Sequence, residues 1–344
     1  MFSAPETRMR NRTTSDPEWR PSGSARSFQE RAGLLSRLRE FFAERGVLEV
    51  QTPVLCTFPN LDMHIEPIAV AAGEMPGQNF PPGGGGGQRR YLRTSPEPAL
   101  KRLLAHGLGS IYEIGPVFRS GETGLLHNLE FTLVEWYRVG FDHIALMDEV
   151  EALVRGCVES FEARRITFRE AFQRWARLDP EEATRAEIEG RASDYGLQGG
   201  DLDRESLLDG LMTLAVEPGM AADYPHCGVF VHSYPASQAG MARLLPDDLG
   251  HAARFELFLG GIEVANGYWE LDDPVEQRRR FEAENRRRTD RGMPALSNDV
   301  RLLAALDAGL PGCAGVAMGL ERLHMWLHRH PRISEVLAFP GERA

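Results

Sequence analysis

The sequence predicts an α+β fold in which an antiparallel sheet is flanked by helices. Two pairs of neighbouring strands carry this prediction, one joined by residues 119–129 and one by Gly260-Gly261, because glycine-containing connections between apolar runs are typical of antiparallel neighbours. Helical periodicity lies mainly outside these pairs, and strands do not alternate with helices as they do in βαβ units. A doubly wound nucleotide-binding domain is therefore not expected.

The remaining elements follow from the spacing of apolar residues. Residues 27–45 repeat apolar side chains at helical spacing, and Gly46 ends this helix before a strand that stops at Pro53. Further strands are predicted at 64–70, 89–95 and 228–237, and the hairpin covers 255–271. Further helices are predicted at 98–107, 143–161, 274–292 and 315–330. The glycine run at 83–87 is expected to be a loop.

Length and composition indicate a globular chain whose 344 residues suffice for one large domain or two smaller ones. No run of 18 apolar residues predicts a membrane span, and a formal net charge of −11 disfavours a broad nucleic-acid-binding face. The four cysteines are far apart and form no CxxC, so neither a disulfide framework nor a cysteine zinc site is predicted. A reducing cytoplasm is the expected compartment.

We expect residues 1–26 to form a flexible N-terminal tail and residues 27–344 to form one domain. The tail contains arginines but no apolar segment, so it does not resemble a secretory signal. Residues 166–219 mix helical segments with acidic turns and are interpreted as an insertion within the same domain.

The hairpin at Gly260-Gly261 is predicted to place two carboxylates on one face. A two-residue turn pairs Phe258 with Glu263, and Glu256, two residues earlier, then shares that face. Two neighbouring carboxylates repel unless a cation joins them, and oxygen ligands suit Mg²⁺, which often accompanies nucleotide phosphates. The alternative is a solvated face with two ordinary surface acids.

Farther along the hairpin, Asn266-Gly267 is expected to break the alternation of the strand and turn Asn266 and Glu270 inward. A buried Glu270 needs a cationic partner, which could be a substrate ammonium or a structural arginine.

In the last predicted helix, Gly315, Gly319 and Arg322 share one face. This face suits either phosphate binding or close packing of the helix on the sheet.

The first strand pair offers groups that suit a nucleotide. Arg119 ends one strand, and its planar guanidinium can bind a carboxylate and a phosphate together. His127 and Asn128 offer donors, Phe131 offers a ring for a base, and Tyr137 offers a hydroxyl on the same strand face. This set suits attack of a carboxylate on the α-phosphorus of ATP, a reaction that needs charge neutralisation and alignment more than a protein nucleophile.

Together these segments resemble class II aminoacyl-tRNA synthetases, most closely the lysyl branch, from Arg31 to the C-terminus. The matching stretches are those similar to the first, second and third family motifs, at 31–53, 118–132 and 315–323, and those typical of lysine enzymes, at 94–104 and 261–271. The resemblance implies a class II synthetase-like catalytic domain that uses ATP and Mg²⁺ and forms a homodimer through the first motif.

Lysyl-tRNA synthetases carry an anticodon-binding OB domain before this catalytic domain, whereas fewer than 30 residues precede the helix of the first motif here. The chain therefore resembles the stand-alone paralogues that modify translation elongation factor P. That resemblance implies adenylation of a lysine, by preference (R)-β-lysine, and its transfer to a lysine side chain of elongation factor P without tRNA. Ala317 agrees, because the tRNA-charging enzymes usually have glycine there.

The resemblance also implies roles for individual residues. The catalytic residues would be Arg119 and Arg322. The ATP-binding residues would be Arg119, Glu122, His127, Asn128, Phe131, Glu263, Val264, Gly319 and Arg322. The substrate-binding residues would be Ser95, Pro96, Glu97, Tyr137, Asn266, Glu270 and Ala317. The magnesium ligands would be Glu256 and Glu263.

Within these roles, His127 and Arg322 would bind the terminal phosphates, and Asn128 and Phe131 the adenine. Glu97 would meet the amino group near the substrate carboxylate. Tyr137 and Glu270 would bind the other ammonium group of the substrate. Asn266 would bind its carboxylate.

One departure from the family pattern concerns the second motif. The family has Asn-Glu where this chain has Ser120-Gly121, and the acid is Glu122, one residue late. Gly121 could allow a bulge that restores the adenine contact of that acid.

Two other functions remain open at this point: a tRNA-charging core or small amino-acid ligase, and a catalytically silent paralogue with a binding role. The net charge, the short N-terminal region and Ala317 disfavour tRNA charging. The retained Arg119, Glu256, Glu263 and Arg322 disfavour a silent paralogue.

Overall fold

A large mixed sheet is the main feature of the computed structural model, which describes residues 19–62, 65–71, 89–200 and 202–344. The strands of these residues are β1 (Leu48–Glu49), β2 (Leu55–Cys56), β3 (Ala69–Ala71), β4 (Arg89–Leu92), β5 (Ile111–Phe118), β6 (Glu130–Val139), β7 (Ala163–Thr167), β8 (Gly228–Pro235), β9 (Leu244–Leu245), β10 (Asp248–Leu259), β11 (Ile262–Trp269) and β12 (Cys313–Gly319).

In the described part of the chain, nine of these strands form one sheet in the order β1-β5-β6-β12-β11-β10-β8-β7, with β9 paired to β10. All pairs from β5 to β8 are antiparallel, and parallel pairing occurs at the two ends, β1 with β5 and β7 with β8. A smaller sheet has the order β2-β4-β3. The predicted α+β class is confirmed, with two parallel edge pairs that make the sheet mixed.

Helices pack around the large sheet. They are α1 (Ala25–Glu44), α2 (Glu97–Ala105), α3 (His143–Cys157), α4 (Phe168–Ala171), α5 (Arg185–Asp194), α6 (Arg204–Leu211), α7 (Glu217–Asp223), α8 (Pro274–Asp290), α9 (Val300–Ala308) and α10 (Leu320–His328). The first helix begins at Ala25 because the Ser24 side chain accepts a hydrogen bond from the Ser27 amide, two residues before the predicted start.

The predicted final helix at 315–330 is wrong in its first part. Residues Cys313–Gly319 form strand β12 between β6 and β11, and only Leu320–His328 are helical. Gly315 and Gly319 therefore lie on one face of a strand, because residues four apart share a face in a strand as well as in a helix. Helix α9 was not predicted, and the predicted strand before Pro53 is only two residues long.

Each face of the sheet has its own apolar cluster. Helices α1, α3 and α10 cover one face, where Phe42, Trp136 and Leu323 belong to one buried cluster. The helices of the predicted insertion form a second cluster, centred on Phe172 and Leu211, which also contains Val231 of β8. The division into a tail, a domain and an insertion remains a prediction, and residues 1–18 and 83–87 lie outside the described residues.

The structure also bears on the expectations about cysteines, membrane spans and a separate OB domain. The four cysteines are all free thiols. Among the described residues no helix combines the length and apolarity needed to cross a bilayer. The described ranges also contain no OB domain separate from the large sheet.

A buried ion pair ties the segment after β1 to the sheet. Arg93 Nη1 lies 2.6 Å from Glu113 Oε1, and both side chains are almost completely buried. The Thr52 hydroxyl donates to Glu113 Oε2 at 2.7 Å, and Arg93 Nε donates to the Pro116 carbonyl at 2.9 Å. Gly115 makes room for the guanidinium, since a Cβ there would lie 2.3 Å from Arg93 Nη2.

We predict that Glu113→Ala lowers the free energy of unfolding by about 3 to 5 kcal/mol, because it leaves a buried guanidinium without its counter-charge. Denaturant titration of the purified chain measures this change. Glu44→Ala, the same substitution at an exposed acid of α1, should change stability by less than about 0.5 kcal/mol. Equal effects of the two substitutions would contradict a structural role for the buried pair.

Candidate active site

A cavity of about 840 Å³ lies on the sheet face opposite α1 and α3. Strands β6, β12, β11 and β10 contribute its floor, and α2, α8 and the helical segment 166–219 contribute to its walls. The structure brings together in its lining nearly all of the predicted site residues: Ser95, Glu97, Arg119, Glu122, His127, Asn128, Phe131, Tyr137, Glu256, Glu263, Val264, Asn266, Glu270, Ala317, Gly319 and Arg322. Pro96 is the exception, and it precedes the first residue of α2.

Small residues of β12 form the centre of the cavity floor. Gly315, Ala317 and Gly319 alternate along this strand and all line the cavity. Gly315 allows close approach of its neighbours, because a Cβ there would lie 2.3 Å from the Tyr137 ring and 2.5 Å from Glu270 Oε1. The residues of 315–319 that face the cavity are thus alternate residues of a strand. Their small size leaves space for side chains from β6 and β11.

One end of the cavity is cationic. Arg322 of α10 donates from Nη1 to the Glu263 carbonyl at 2.8 Å, and its Nη2 lies 2.7 Å from His127 Nε2. Burial and the charge of Arg322 lower the pKa of His127, so the ring is neutral at neutral pH and its Nε2 accepts from the guanidinium. The two residues predicted to bind the terminal phosphates are therefore in direct contact.

Arg119 lies beside the ring predicted to stack on adenine. Its guanidinium carbon is 5.0 Å from the centroid of Phe131, and Nη1 is 3.5 Å from Glu122 Oε1. Gly121 adopts a φ of +79°, which favours glycine. Glu122 lines the cavity together with Arg119, so the turn at Gly121 brings the displaced acid to the cavity side, as the sequence argument required.

Asn128 occupies the cavity wall but its amide has a structural task. Nδ2 donates to the Glu130 carbonyl at 2.6 Å, and Oδ1 accepts from the Gly341 amide at 2.9 Å. These bonds hold the loop before β6 against the C-terminal segment. Both amide atoms of Asn128 therefore already have partners within the protein, unlike an amide that is free to bind adenine.

The hairpin carries the predicted pair of acids with one difference in register. Phe258 pairs with Glu263 as predicted, but Glu256 pairs with Asn266, so the extra residue of a β-bulge is Val264. The predicted break at Asn266-Gly267 is wrong. After the bulge the strand alternates regularly, and this alternation alone brings Asn266, Tyr268 and Glu270 to the cavity.

Glu256 and Glu263 line the same part of the cavity. Glu256 accepts hydrogen bonds from Tyr234 Oη at 2.6 Å and from Arg254, and burial together with the charge of Glu263 raises its pKa although Arg254 opposes this. Glu263 Oε2 lies 3.6 Å from Arg322 Nη1, so each acid has one arginine nearby. A divalent cation also suits this site, because the two carboxylates offer the oxygen ligands that Mg²⁺ prefers. The donor set therefore fits Mg²⁺.

Glu217 is a third acid in this region that sequence reasoning missed. Burial, followed by the negative charges of Glu263 and Glu256, raises its pKa to about 7. It begins α7, within the predicted insertion, so no local pattern relates it to the hairpin. The region around Glu256 and Glu263 is thus more acidic than the hairpin alone suggested.

The opposite end of the cavity is built around a buried lysine. Lys101 Nζ lies 2.7 Å from Glu97 Oε1 and 2.7 Å from Glu270 Oε2, and the lysine is 1% exposed. The cationic partner of Glu270 is therefore a lysine of α2 and not an arginine. Sequence reasoning missed Lys101 because a lysine within an amphipathic helix is usually solvated.

Glu135 is a further buried acid, to which the sequence analysis assigned no role. Its carboxylate accepts from Ser95 Oγ at 2.8 Å and from Tyr137 Oη at 2.9 Å. Burial, followed by the charge of Glu97, raises the pKa of Glu135 to about 8. Burial also raises the pKa of Glu270 to about 7, although Lys101 opposes this shift. The alternation of Glu135 with Phe131 and Tyr137 along β6 was the signal that could have identified this acid.

Ala317 lies between two polar neighbours in the sheet. It pairs with Glu135 on β6 and with Asn266 on β11, and all three line the cavity. Asn266 donates from Nδ2 to Glu256 at 3.1 Å, and its buried Oδ1 has no hydrogen-bond partner among the described residues. The free atom of this amide is thus an acceptor, which suits an ammonium better than the predicted carboxylate.

Comparison with known proteins agrees with this geometry. The chain is 43% identical over 333 residues to the elongation factor P–(R)-β-lysine ligase of Vibrio cholerae serotype O1, covering 96% of this chain and 100% of the relative. It is 41% identical to the ligase of the same name from Yersinia enterocolitica, over 95% and 98% of the two chains, and 42% identical to that of Vibrio vulnificus, over 94% and 98%.

A family model described as tRNA synthetases class II (D, K and N) matches residues 4–343. This span includes every strand of the large sheet and every residue of the cavity. The chain therefore belongs to the class II tRNA synthetase family of the D, K and N type.

Proposed function

We propose that this chain is an ATP-dependent ligase that adenylates lysine, with (R)-β-lysine preferred, and transfers it to a lysine side chain of elongation factor P. The relatives of 41–43% identity bear that activity in their names and span 94–96% of the chain. The observation that carries the proposal is a single cavity with a cationic end beside acids that fit Mg²⁺ and an anionic end built from buried carboxylates.

At the cationic end, Arg322 and His127 would bind the terminal phosphates of ATP, and Phe131 would stack on adenine. Arg119, which lies beside Phe131, would hold the substrate carboxylate against the α-phosphate through its fork of donors. Glu256 and Glu263 would hold Mg²⁺, which supplies charge neutralisation for the phosphates when bound. The substrate carboxylate is the nucleophile, so these residues bind, align and neutralise charge.

At the anionic end, Lys101 lies 2.7 Å from both Glu97 and Glu270, and Glu135 is an acid whose pKa is raised by burial and by the charges of these two acids. When all three acids are ionised, their negative charges outnumber the charge of Lys101 by two. The two ammonium groups of a lysine or β-lysine would bring two positive charges to this subsite, whereas the substrate carboxylate would be held by Arg119. Tyr137 and Asn266 would complete the contacts of the ammonium groups, the first by orienting Glu135 and the second through its free acceptor.

We also propose that the acceptor is a protein and not tRNA, that the chain acts in the cytoplasm, and that it forms a homodimer through α1 and the strand after it. The net charge of −11 supports the first point, because tRNA binding usually uses a basic face. Resemblance of residues 31–53 to the first synthetase motif supports the dimer.

The proposed function is tested by incubating the chain with ATP, Mg²⁺ and labelled α- or β-lysine, with elongation factor P and lysine tRNA as separate acceptors. We expect label on elongation factor P, and more with (R)-β-lysine. Arg322→Ala should lower ATP–pyrophosphate exchange about 100-fold or more, because it removes a charge-stabilising donor. The exposed Arg286→Ala is its control. Label on tRNA alone, or on neither acceptor, would refute the proposal.

We predict that Ala317→Gly shifts preference from (R)-β-lysine toward α-lysine by about 10-fold in kcat/KM, because removal of one methyl group changes the floor between Glu135 and Asn266. Competition between the two lysines in the transfer assay measures this ratio. Ala314→Gly is a matched control on the opposite face of β12, where it is buried in the core, and should leave the ratio unchanged. Unchanged selectivity in Ala317→Gly would remove this residue from the specificity argument.

We predict that KM for the lysine substrate falls as the pH rises through the pKa values of Glu270, about 7, and Glu135, about 8. Both pKa values are raised, so at lower pH the acids are neutral and attract an ammonium weakly, and they gain charge as the pH rises. Steady-state kinetics at saturating ATP measure this dependence. Glu135→Gln should raise KM and flatten its pH profile, whereas a profile as steep as that of the parent chain would exclude Glu135 from ammonium binding.

A further inference from the structure

Three histidines and one glutamate meet where α10 packs against α1, away from the cavity. Glu30 lies on α1, His324 and His328 lie on α10, and His330 follows that helix. Glu30 Oε2 is 3.8 Å from His324 Nε2 and 3.6 Å from His330 Nε2, and Glu30 Oε1 is 3.4 Å from His328 Nδ1. None of these residues has a role in the proposed function.

Local backbone geometry directs the three rings toward Glu30. His324 and His328 are four residues apart and therefore share one face of α10. Arg329 ends the helix with a φ of +57°, an uncommon conformation for a residue other than glycine, and the His330 amide donates to the Met325 carbonyl at 2.9 Å. This turn returns His330 to the side of His324, with 5.7 Å between the ring centroids.

Several ring nitrogens of the cluster are buried without partners. His324 is 1% exposed, and neither of its ring nitrogens has a hydrogen-bond partner among the described residues. The Nε2 atoms of His328 and His330 are also buried and unpaired within that part of the chain. Buried polar atoms are normally hydrogen-bonded, so this concentration of free acceptors or donors indicates a missing ligand.

Simple ion pairing with Glu30 does not account for the cluster. The distances to Glu30 exceed those of normal hydrogen bonds. The carboxylate is paired instead with the exposed Arg26 at 2.8 Å, and Arg31 and Arg37 are further cations near the histidines.

We propose that Glu30, His324, His328 and His330 bind one Zn²⁺ ion. Imidazole nitrogens and a carboxylate oxygen are ligands that Zn²⁺ accepts, in tetrahedral sets of four. Bonds of about 2.0 to 2.1 Å place tetrahedral ligand atoms about 3.3 Å apart. Candidate ligand atoms of Glu30, His324 and His328 all lie within 4.8 Å of one another. His330 is outside this group, but its Nε2 lies 3.6 Å from Glu30 Oε2, so a small movement of its side chain would complete the set.

A second carboxylate orients one of the proposed ligands. His330 Nδ1 donates to Glu335 Oε2 at 3.3 Å, which leaves Nε2 as the atom directed toward Glu30. A carboxylate on the far nitrogen of a ligating histidine fixes its tautomer and orientation. Glu335 is therefore a positioning residue of the proposed site.

With His330 as the fourth ligand, the site has no open position for a substrate, so the proposed role is structural. The ion would join α1 to α10, the helix that carries Arg322 into the cavity. A second link between these helices already exists, since Glu321 of α10 lies 3.4 Å from Arg31 of α1 and accepts from the Thr132 amide at 2.8 Å. The site would thus stabilise the position of the phosphate-binding arginine without contacting substrate.

The test is titration of the full-length, metal-stripped chain, purified without a histidine tag, with Zn²⁺ alone. Calorimetry should show one ion bound per chain, and the ion should raise Tm because it binds only the folded state. Co²⁺ used in place of Zn²⁺ should give the intense visible bands of a tetrahedral site. Absence of saturable binding would overturn the proposal.

Variants identify the ligands. His328→Ala and Glu30→Gln alter partly exposed residues, so they are expected to fold, and each should weaken Zn²⁺ binding about 100-fold or more; Glu335→Gln should weaken it about 10-fold. His226→Ala, at an exposed histidine outside the cluster, should bind as the parent chain does. Binding that persists in both His328→Ala and Glu30→Gln would place the ion elsewhere, such as at the cavity carboxylates, and refute the site.

Discussion

The absence of large side chains on the cavity face of β12 is the constraint on which the rest of the site depends. This strand lies between β6 and β11, and its cavity face consists of Gly315, Ala317 and Gly319. A Cβ at Gly315 would lie within 2.5 Å of both the Tyr137 ring and a Glu270 oxygen. Functional side chains from the two flanking strands can therefore converge above β12, where a bulkier strand would separate them.

The same cavity keeps opposite charges at opposite ends, and burial makes this separation effective. Lys101 holds Glu97 and Glu270 together at one end, while Arg322 and His127 are in contact at the other. Water screens charges weakly around the buried Lys101, Glu135 and Glu270, so that end would favour a positively charged ligand group. Under the proposed function, the ammonium groups of the amino acid would occupy this end and the phosphates of ATP the other.

Helix α10 connects this chemistry to the outer layer of the fold. Arg322 reaches the cavity, Glu321 contacts β6 and α1, and His324 and His328 face Glu30. The helix is therefore held by α1 and β6, through Glu321 at the cavity and through the histidines that face Glu30.

The sequence by itself determined the α+β class and the strand pairs around 119–129 and Gly260-Gly261, because turn chemistry and the period of two are local properties. Of the site residues that it predicted, by pattern or by family resemblance, all but Pro96 line the cavity. Only the tertiary structure decided that Cys313–Gly319 is a strand, since Gly315 and Gly319 share a face in either a helix or a strand. It also decided the roles of Lys101, Glu217 and His324, which depend on burial beside residues distant in sequence. Burial and non-local partners, which no local pattern encodes, set the charge state and the available ligands of such groups.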